Sequence, residues 1–246
     1  MTWSIIAKDH ETGLFGVAVA TCDLAVGAIC PCAEGRVGAL CSQALPNPTW
    51  RTRGLELLRQ GLAPQEVRDM LVRADEGAEH RQLHIIDSEG RIAGHTGDHC
   101  LDWCGHVAGE LASVAGNMLA GAAVVEDTLA GYLENRTEPF VERLFEAMNA
   151  GEAAGGDKRG KQSAALLIQG PEAYPRLDIR VDDHGDPLVE LRRLYEVAKD
   201  RFLPFSRAFP SAERPFGVTD RKRIESFIAA RAGTPLTQIG DMPNDD

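Results

Sequence analysis

The chain has 246 residues, 43% of them hydrophobic and 26% charged, with a formal net charge of −11. That length accommodates one large domain, or a domain with an appendage, able to bury ~70–75% of its unfolded surface. The acidic balance speaks against nucleic acid and anionic membrane surfaces as partners, and no run approaches the ~20 apolar residues of a membrane helix.

The chain opens Met1-Thr2-Trp3-Ser4-Ile5-Ile6-Ala7, so a hydroxyl residue directly follows the initiator and begins a strand-like run. Removal of Met1 would leave Thr2 with a nucleophilic hydroxyl beside a free α-amine that titrates near ~8 and serves as its base. Many chains begin Met-Thr, so this feature gains meaning only beside the rest of the chain. No basic n-region precedes an apolar stretch, and a cytoplasmic protein is expected.

Residues 2–9 and 14–21 read as two strands joined by the turn His10-Glu11-Thr12-Gly13, a hairpin. Gly16, Ala18 and Ala20 suit a strand pressed against another layer. The apolar stretch 37–41 ends at Ser42-Gln43-Ala44, and helices are expected over 49–60 and 64–74. Residues 82–86 and 91–94 flank the hairpin turn Asp87-Ser88-Glu89-Gly90. Between 95 and 106, His95, His99, Cys100, Cys104 and His106 fall within twelve residues. Zinc sites pair two ligands with a distant second pair, so this segment reads instead as a hairpin loop with incidental His and Cys. The six cysteines, Cys22, Cys30, Cys32, Cys41, Cys100 and Cys104, lack a disulfide-scaffold spacing and are expected to be reduced.

A strand over 110–115 leads to Gly116-Asn117-Met118-Leu119-Ala120, and helices follow over 122–132 and 139–149. The Gly-rich segment 155–163 holds Asp157, Lys158, Arg159 and Lys161, where exposed backbone N–H groups and a guanidinium suit a carboxylate. Strands over 162–168 and 177–181 come next. Asp186 is placed to cap a charged helix over 187–199, with Pro187 at its first position. Residues 202–215 read as an irregular linker, 221–230 as a helix capped by Thr219 or Asp220, and 241–246 as disordered. Strands early and late around two helical stretches fit an α+β chain, a four-layer αββα sandwich, better than a doubly wound sheet. No GxGxxG or P-loop occurs, and no cofactor is expected.

Together these segments resemble the bacterial domain-of-unknown-function family 1028. The resemblance lies in Thr2-Trp3-Ser4-Ile5-Ile6-Ala7, Thr12-Gly13 with Gly16-Val17-Ala18-Val19-Ala20, Val26-Gly27-Ala28, Gly38-Ala39 and Ser42-Gln43-Ala44. It continues through Thr96-Gly97, residues 116–121, the Gly155-Gly156-Asp157 loop up to Leu166, and Arg180-Val181-Asp182-Asp183-His184. It runs in order from Thr2 to about Lys199, and the Gly-Gly-Asp loop is its most specific part. The resemblance implies the N-terminal nucleophile (Ntn) hydrolase fold, whose members cleave amide bonds with an N-terminal Thr, Ser or Cys. Pro215-Phe216-Gly217-Val218-Thr219, with an Ile-Phe helix face after it, resembles the peptidoglycan-binding appendage of some members; here a packing role is expected of it instead.

The expected organisation is an Ntn-hydrolase-like domain over 1–200 and an appendage over 201–246. The expected activity is amide hydrolysis on a small amide, ureido compound or short peptide derivative. Thr2 would be the nucleophile, Gln43 or Asn117 the oxyanion donor, and Asp157 the residue that holds the amine. Arg159, Gln162 and Ser163 would bind the substrate. A small molecule is the expected partner, and homo-oligomerisation stays open. Two other readings stand beside this one: a non-catalytic small-molecule-binding protein on the same fold, and a zinc hydrolase using His95, His99 and Cys104.

Overall fold

The structure, a computed structural model, describes residues 2–243. Met1 and residues 244–246 lie outside the described residues, and with them the expected loss of Met1 and half of the expected disordered end. Backbone contacts divide the chain into two units, Met1–Leu191 and Arg192–Asp246.

In the first unit, β1 (Thr2–Lys8) and β2 (Phe15–Thr21) pair antiparallel as the hairpin read from the sequence. The Asp9 carboxylate builds the turn by accepting from the Thr12 N–H and hydroxyl, and Gly13 takes φ +69°. Two short elements without a sequence signal come after it, α1 (Val26–Ile29) and β3 (Pro31–Glu34). Then come β4 (Gly38–Ala44), α2 (Pro48–Arg59) and α3 (Pro64–Arg73). Asn47 caps α2 by accepting from Thr49 N at 3.1 Å, with Pro48 at the first helical position. The chain continues through β5 (Arg81–Asp87), β6 (Ile92–Thr96), β7 (Gly105–Gly109) and β8 (Ala112–Asn117). It ends with α4 (Ala123–Glu134), α5 (Phe140–Ala153), β9 (Ser163–Gln169) and β10 (Pro175–Val181). The division into units falls inside α6 (Pro187–Val197).

The strands form two antiparallel sheets, ordered β10-β9-β2-β1-β8-β7 and β3-β4-β5-β6. Partners in an antiparallel ladder share a face, and faces alternate along each strand. Ile6, Val17, Val19 and Ala165 of the larger sheet therefore meet Ala39, Cys41 and Ile86 of the smaller one in a single buried cluster. Each Val or Ile among them contributes ~1.5–3 kcal/mol by leaving water. The other face of the smaller sheet, through Leu40, Leu83 and Ile85, packs on Trp50, Leu57 and Leu58 of α2 and Val67 and Leu71 of α3. Helix α5 presses on β2 at Gly16, where a Cβ would lie 2.5 Å from Leu144 and 2.9 Å from Phe140. That approach needs glycine.

The hairpin-loop reading of 95–106 is corrected: β6 lies in the smaller sheet and β7 in the larger, so residues 97–104 cross between sheets. The strand expected over 110–115 begins two residues later, because Leu111 takes φ +56° in the turn that joins β7 to β8. Among the described residues no helix is long and apolar enough to cross a membrane.

The second unit holds α7 (Leu203–Ser206) and α8 (Arg221–Arg231). Of the two candidate caps for α8, Asp220 does the capping, its side chain accepting from Lys222 N at 2.9 Å. Ala208, Ile224, Ile228 and Met242 form its core. Residues 241–243 thus depart from the expected disordered end: Met242 is 2% exposed, and its carbonyl accepts from Arg214 at 2.8 Å.

Candidate functional site

Four polar side chains stand in register across one end of the larger sheet: Ser163 opposite Thr21, Thr21 opposite Thr2, and Thr2 opposite Asn117. All four are buried, and ladder geometry points them to the face that meets the smaller sheet. The Thr2 hydroxyl donates to Thr21 Oγ1 at 3.2 Å. Asn117 ends β8 and, unlike Thr2, lines a cleft of about 430 Å³. Asp23, Arg159, His80 and His99 give that cleft its charged and titratable wall, and Leu45, Leu101 and Met118 its apolar one. Ala44 (φ +72°) and Met118 (φ +53°), both in the cleft wall, hold left-handed backbone that costs an L-residue ~1–2 kcal/mol each. They persist because Leu45 N donates to His80 O and Met118 N to Leu101 O.

A buried chain of polar side chains runs behind this wall. Ser4 donates to Gln43 Oε1 at 2.7 Å, so its oxygen must accept from His84 Nε2 at 2.9 Å. With its one proton on Nε2, His84 accepts at Nδ1 from Ser113 at 3.0 Å, and Ser113 in turn accepts from His106 Nε2 at 2.7 Å. Burial, and after it the neighbouring His106, hold His84 well below the usual imidazole range, in keeping with a neutral ring. Gln43 Nε2 passes the chain to Gln82 Oε1 at 2.8 Å, which also accepts from Asn117 Nδ2 at 3.0 Å. Gln82 itself donates to Gly116 O, Thr96 Oγ1 and Gly105 O.

This network separates the two expected oxyanion donors. Gln43 is fully buried, and its NH₂ already faces Gln82 Oε1, Ala115 O and Thr2 O, so it positions neighbours and has no proton for a ligand. Asn117 is the one at the cleft, though its Nδ2 is engaged too, donating to Gln82 Oε1 at 3.0 Å and to Thr2 O at 3.4 Å. Asp157 is anchored by Cys22 N and Arg159 N, both donating at 2.9 Å, and bridges to Leu119 just past β8. Its carboxylate holds the loop, 3.5 Å from the guanidinium of Arg159.

Arg159 lines the cleft and pairs with Asp23 at 2.9 Å. Its basic neighbours are engaged elsewhere, Lys158 with Asp102 O and Lys161 with Glu152 and Asp186. Asp186 thus carries an ion pair as well as its place before α6. Gln162 and Ser163 do not face the cleft. Gln162 donates to Asp183 at 3.0 Å, and Ser163, fully buried, donates to Asp23 O and accepts from Val26 N. Both shape the loops that carry Asp23 and Arg159. Gly156 (φ +49°) lets this loop lie on Trp3, where a Cβ would sit 2.7 Å from Glu152 Oε2.

The zinc reading fails on geometry. His95 meets Ala78 O, His99 meets His80, and Cys104 donates to Cys100 O. Among the described residues no three His, Cys, Asp or Glu side chains are placed to hold a metal. All six cysteines are free, and burial first, then Cys104, raises the cleft-lining Cys100 thiol above its usual range. Sequence reasoning missed Asp23 and Gln82: one follows a strand end, the other is a single Gln inside an apolar strand, and neither position carries a local signal.

The model of a family of unknown function (DUF1028) matches residues 2–191. The crystal structure of protein SPO2555 from Silicibacter pomeroyi, carrying the same family model, is 32% identical with a TM-score of 0.83. That match covers 89% of this chain and 96% of that one. Anbu (ancestral beta-subunit) from Yersinia bercovieri matches 85% of this chain and 98% of its own at 11% identity and a TM-score of 0.36, too low to carry an argument. No curated protein matches.

Proposed function

This chain belongs to the DUF1028 family, and we propose that it is an Ntn-type amidohydrolase whose nucleophile is Thr2 after loss of Met1. In this reading the two sheets and their outer helices are the αββα sandwich of that class, over residues 1–200, with 201–246 an appendage, in a cytoplasmic protein. The observation that carries it is the register of Thr2 against Asn117, which sets an N-terminal hydroxyl residue one strand away from a cleft-lining amide donor.

The Thr2 hydroxyl attacks the carbonyl carbon of the substrate amide and passes its proton to the α-amine. Negative charge gathers on the carbonyl oxygen, to which Asn117 Nδ2 turns the N–H that otherwise faces Thr2 O at 3.4 Å; loss of one such donor raises the barrier by ~3–4 kcal/mol. The C–N bond breaks, the proton leaves with the amine, and water hydrolyses the Thr2 ester to free the acid and restore the hydroxyl. Asp157 fixes Arg159 for a substrate carboxylate, and Gln43 and Gln82 fix Asn117.

The test is turnover of a panel of small amides and ureido acids by chain lacking Met1. Thr2→Ala should abolish turnover with an unchanged circular dichroism spectrum, whereas a fully active variant ends the proposal. A second reading, a binding protein without chemistry, draws on the burial of Thr2 and its absence from the cleft wall. Intact mass of protein from its native host separates the two, since a retained Met1 leaves Thr2 without an amine.

A further inference from the structure

We propose that the cleft takes a free α-amino acid whose side chain carries the amide-type group, a carboxamide or a ureido group. Arg159 would receive its α-carboxylate and Asp23 its α-ammonium. This rests on the reading of Asn117 as the donor facing the reacting carbonyl.

Asp23 and Arg159 line the same cleft as Asn117 and stand 2.9 Å apart. An anion and a cation set this closely match the two opposite charges that an α-amino acid carries on one carbon. A ligand with a single charge would engage one of the two and gain nothing from the other. The pair is open enough to yield, because the Asp23 side chain is 64% exposed and exposed ion pairs contribute little. Charge-assisted bonds from ligand to each side chain replace what is lost.

Both residues are also held independently of each other. The buried Asp157 carboxylate stays beside Arg159 when Asp23 turns to the ligand, and Ser163 grips the Asp23 backbone at 2.5 Å. A cleft of about 430 Å³ suits a ligand of this size. With both α groups taken by Asp23 and Arg159, the carbonyl that reaches Asn117 must belong to the side chain. Leu45, Leu101 and Met118 cover its methylenes.

The experiment is isothermal titration of the full chain carrying Thr2→Ala, so that binding is read without turnover. The probes are L-glutamine, L-citrulline, N-acetyl-L-glutamine, which lacks the ammonium, and L-glutamine α-amide, which lacks the carboxylate. At least one free amino acid should bind with a Kd of ~1 mM or tighter, and masking either charge of glutamine should weaken binding at least ~10-fold. Asp23→Asn should weaken the free amino acid by a similar factor and leave N-acetyl-L-glutamine unchanged. Failure of both free amino acids to bind, N-acetyl-L-glutamine binding as tightly as its parent, or an unaffected Asp23→Asn would each overturn the proposal. Turnover is read separately on chain with Thr2 intact. Binding without hydrolysis overturns the hydrolase reading alone, and hydrolysis of other amides without this binding overturns the amino-acid assignment alone.

Discussion

Gln82 Oε1 lies 2.8 Å from Gln43 Nε2 and 3.0 Å from Asn117 Nδ2, so one buried oxygen orients both amides at the end of the larger sheet. Gln82→Leu removes that acceptor and leaves two buried N–H groups without it. An unsatisfied buried donor costs ~1–3 kcal/mol, and with Ala115 O and Thr2 O still facing the two amides the variant should lose ~1–3 kcal/mol in urea unfolding. A loss under ~0.5 kcal/mol would mean that the amides are not held this way.

The histidine chain predicts a direction for stability against pH. Burial and His106 keep His84 well below its ordinary value, and burial lowers His106 as well. Above ~6.5 both folded and unfolded rings are neutral and contribute nothing. Below it the unfolded chain takes up protons that the folded chain refuses, so stability falls as pH drops towards the folded values. Between pH 7.0 and 5.5 the unfolding free energy from urea titration should fall at up to ~1.4 kcal/mol per pH unit for each ring, and less steeply in His84→Gln. A flat unfolding free energy over that window would contradict the neutral, buried assignment.

Two glycines in left-handed backbone separate strain from crowding. Gly13 (φ +69°) has open space around a would-be Cβ, whereas at Gly156 (φ +49°) that atom meets Glu152 Oε2 at 2.7 Å and the Trp3 ring at 3.2 Å. Gly13→Ala should therefore cost ~1 kcal/mol, and Gly156→Ala more than that, because the Glu152 carboxylate can swing aside but the buried Trp3 ring cannot. Equal losses in thermal unfolding would show that the loop does not lie on Trp3.

The sequence made the strand and helix cores legible because their apolar periodicity is local: residues 2–9 and 14–21 became β1 and β2, and 64–74 became α3. What it hid depends on distant pairing. β7 is Gly105-His106-Val107-Ala108-Gly109, with little strand propensity, and it exists through its ladder with β8. Thr2, Asn117 and Arg159 were visible as candidates from residue chemistry and family resemblance. The sharing of Gln82 between two amides, and the pairing of Asp23 with Arg159 136 residues away, arise only once the strands are assembled.

The central claim is that Thr2 is a nucleophile with its own amine as base. The most direct measurement treats chain lacking Met1 with a β-lactone acylating probe, followed by peptide mapping by mass spectrometry. The account predicts one adduct, on the N-terminal peptide at Thr2, absent in Thr2→Ala and absent when Met1 is retained. An unlabelled N-terminus on chain that has lost Met1, or labelling that moves to Cys100 and survives Thr2→Ala, would contradict it.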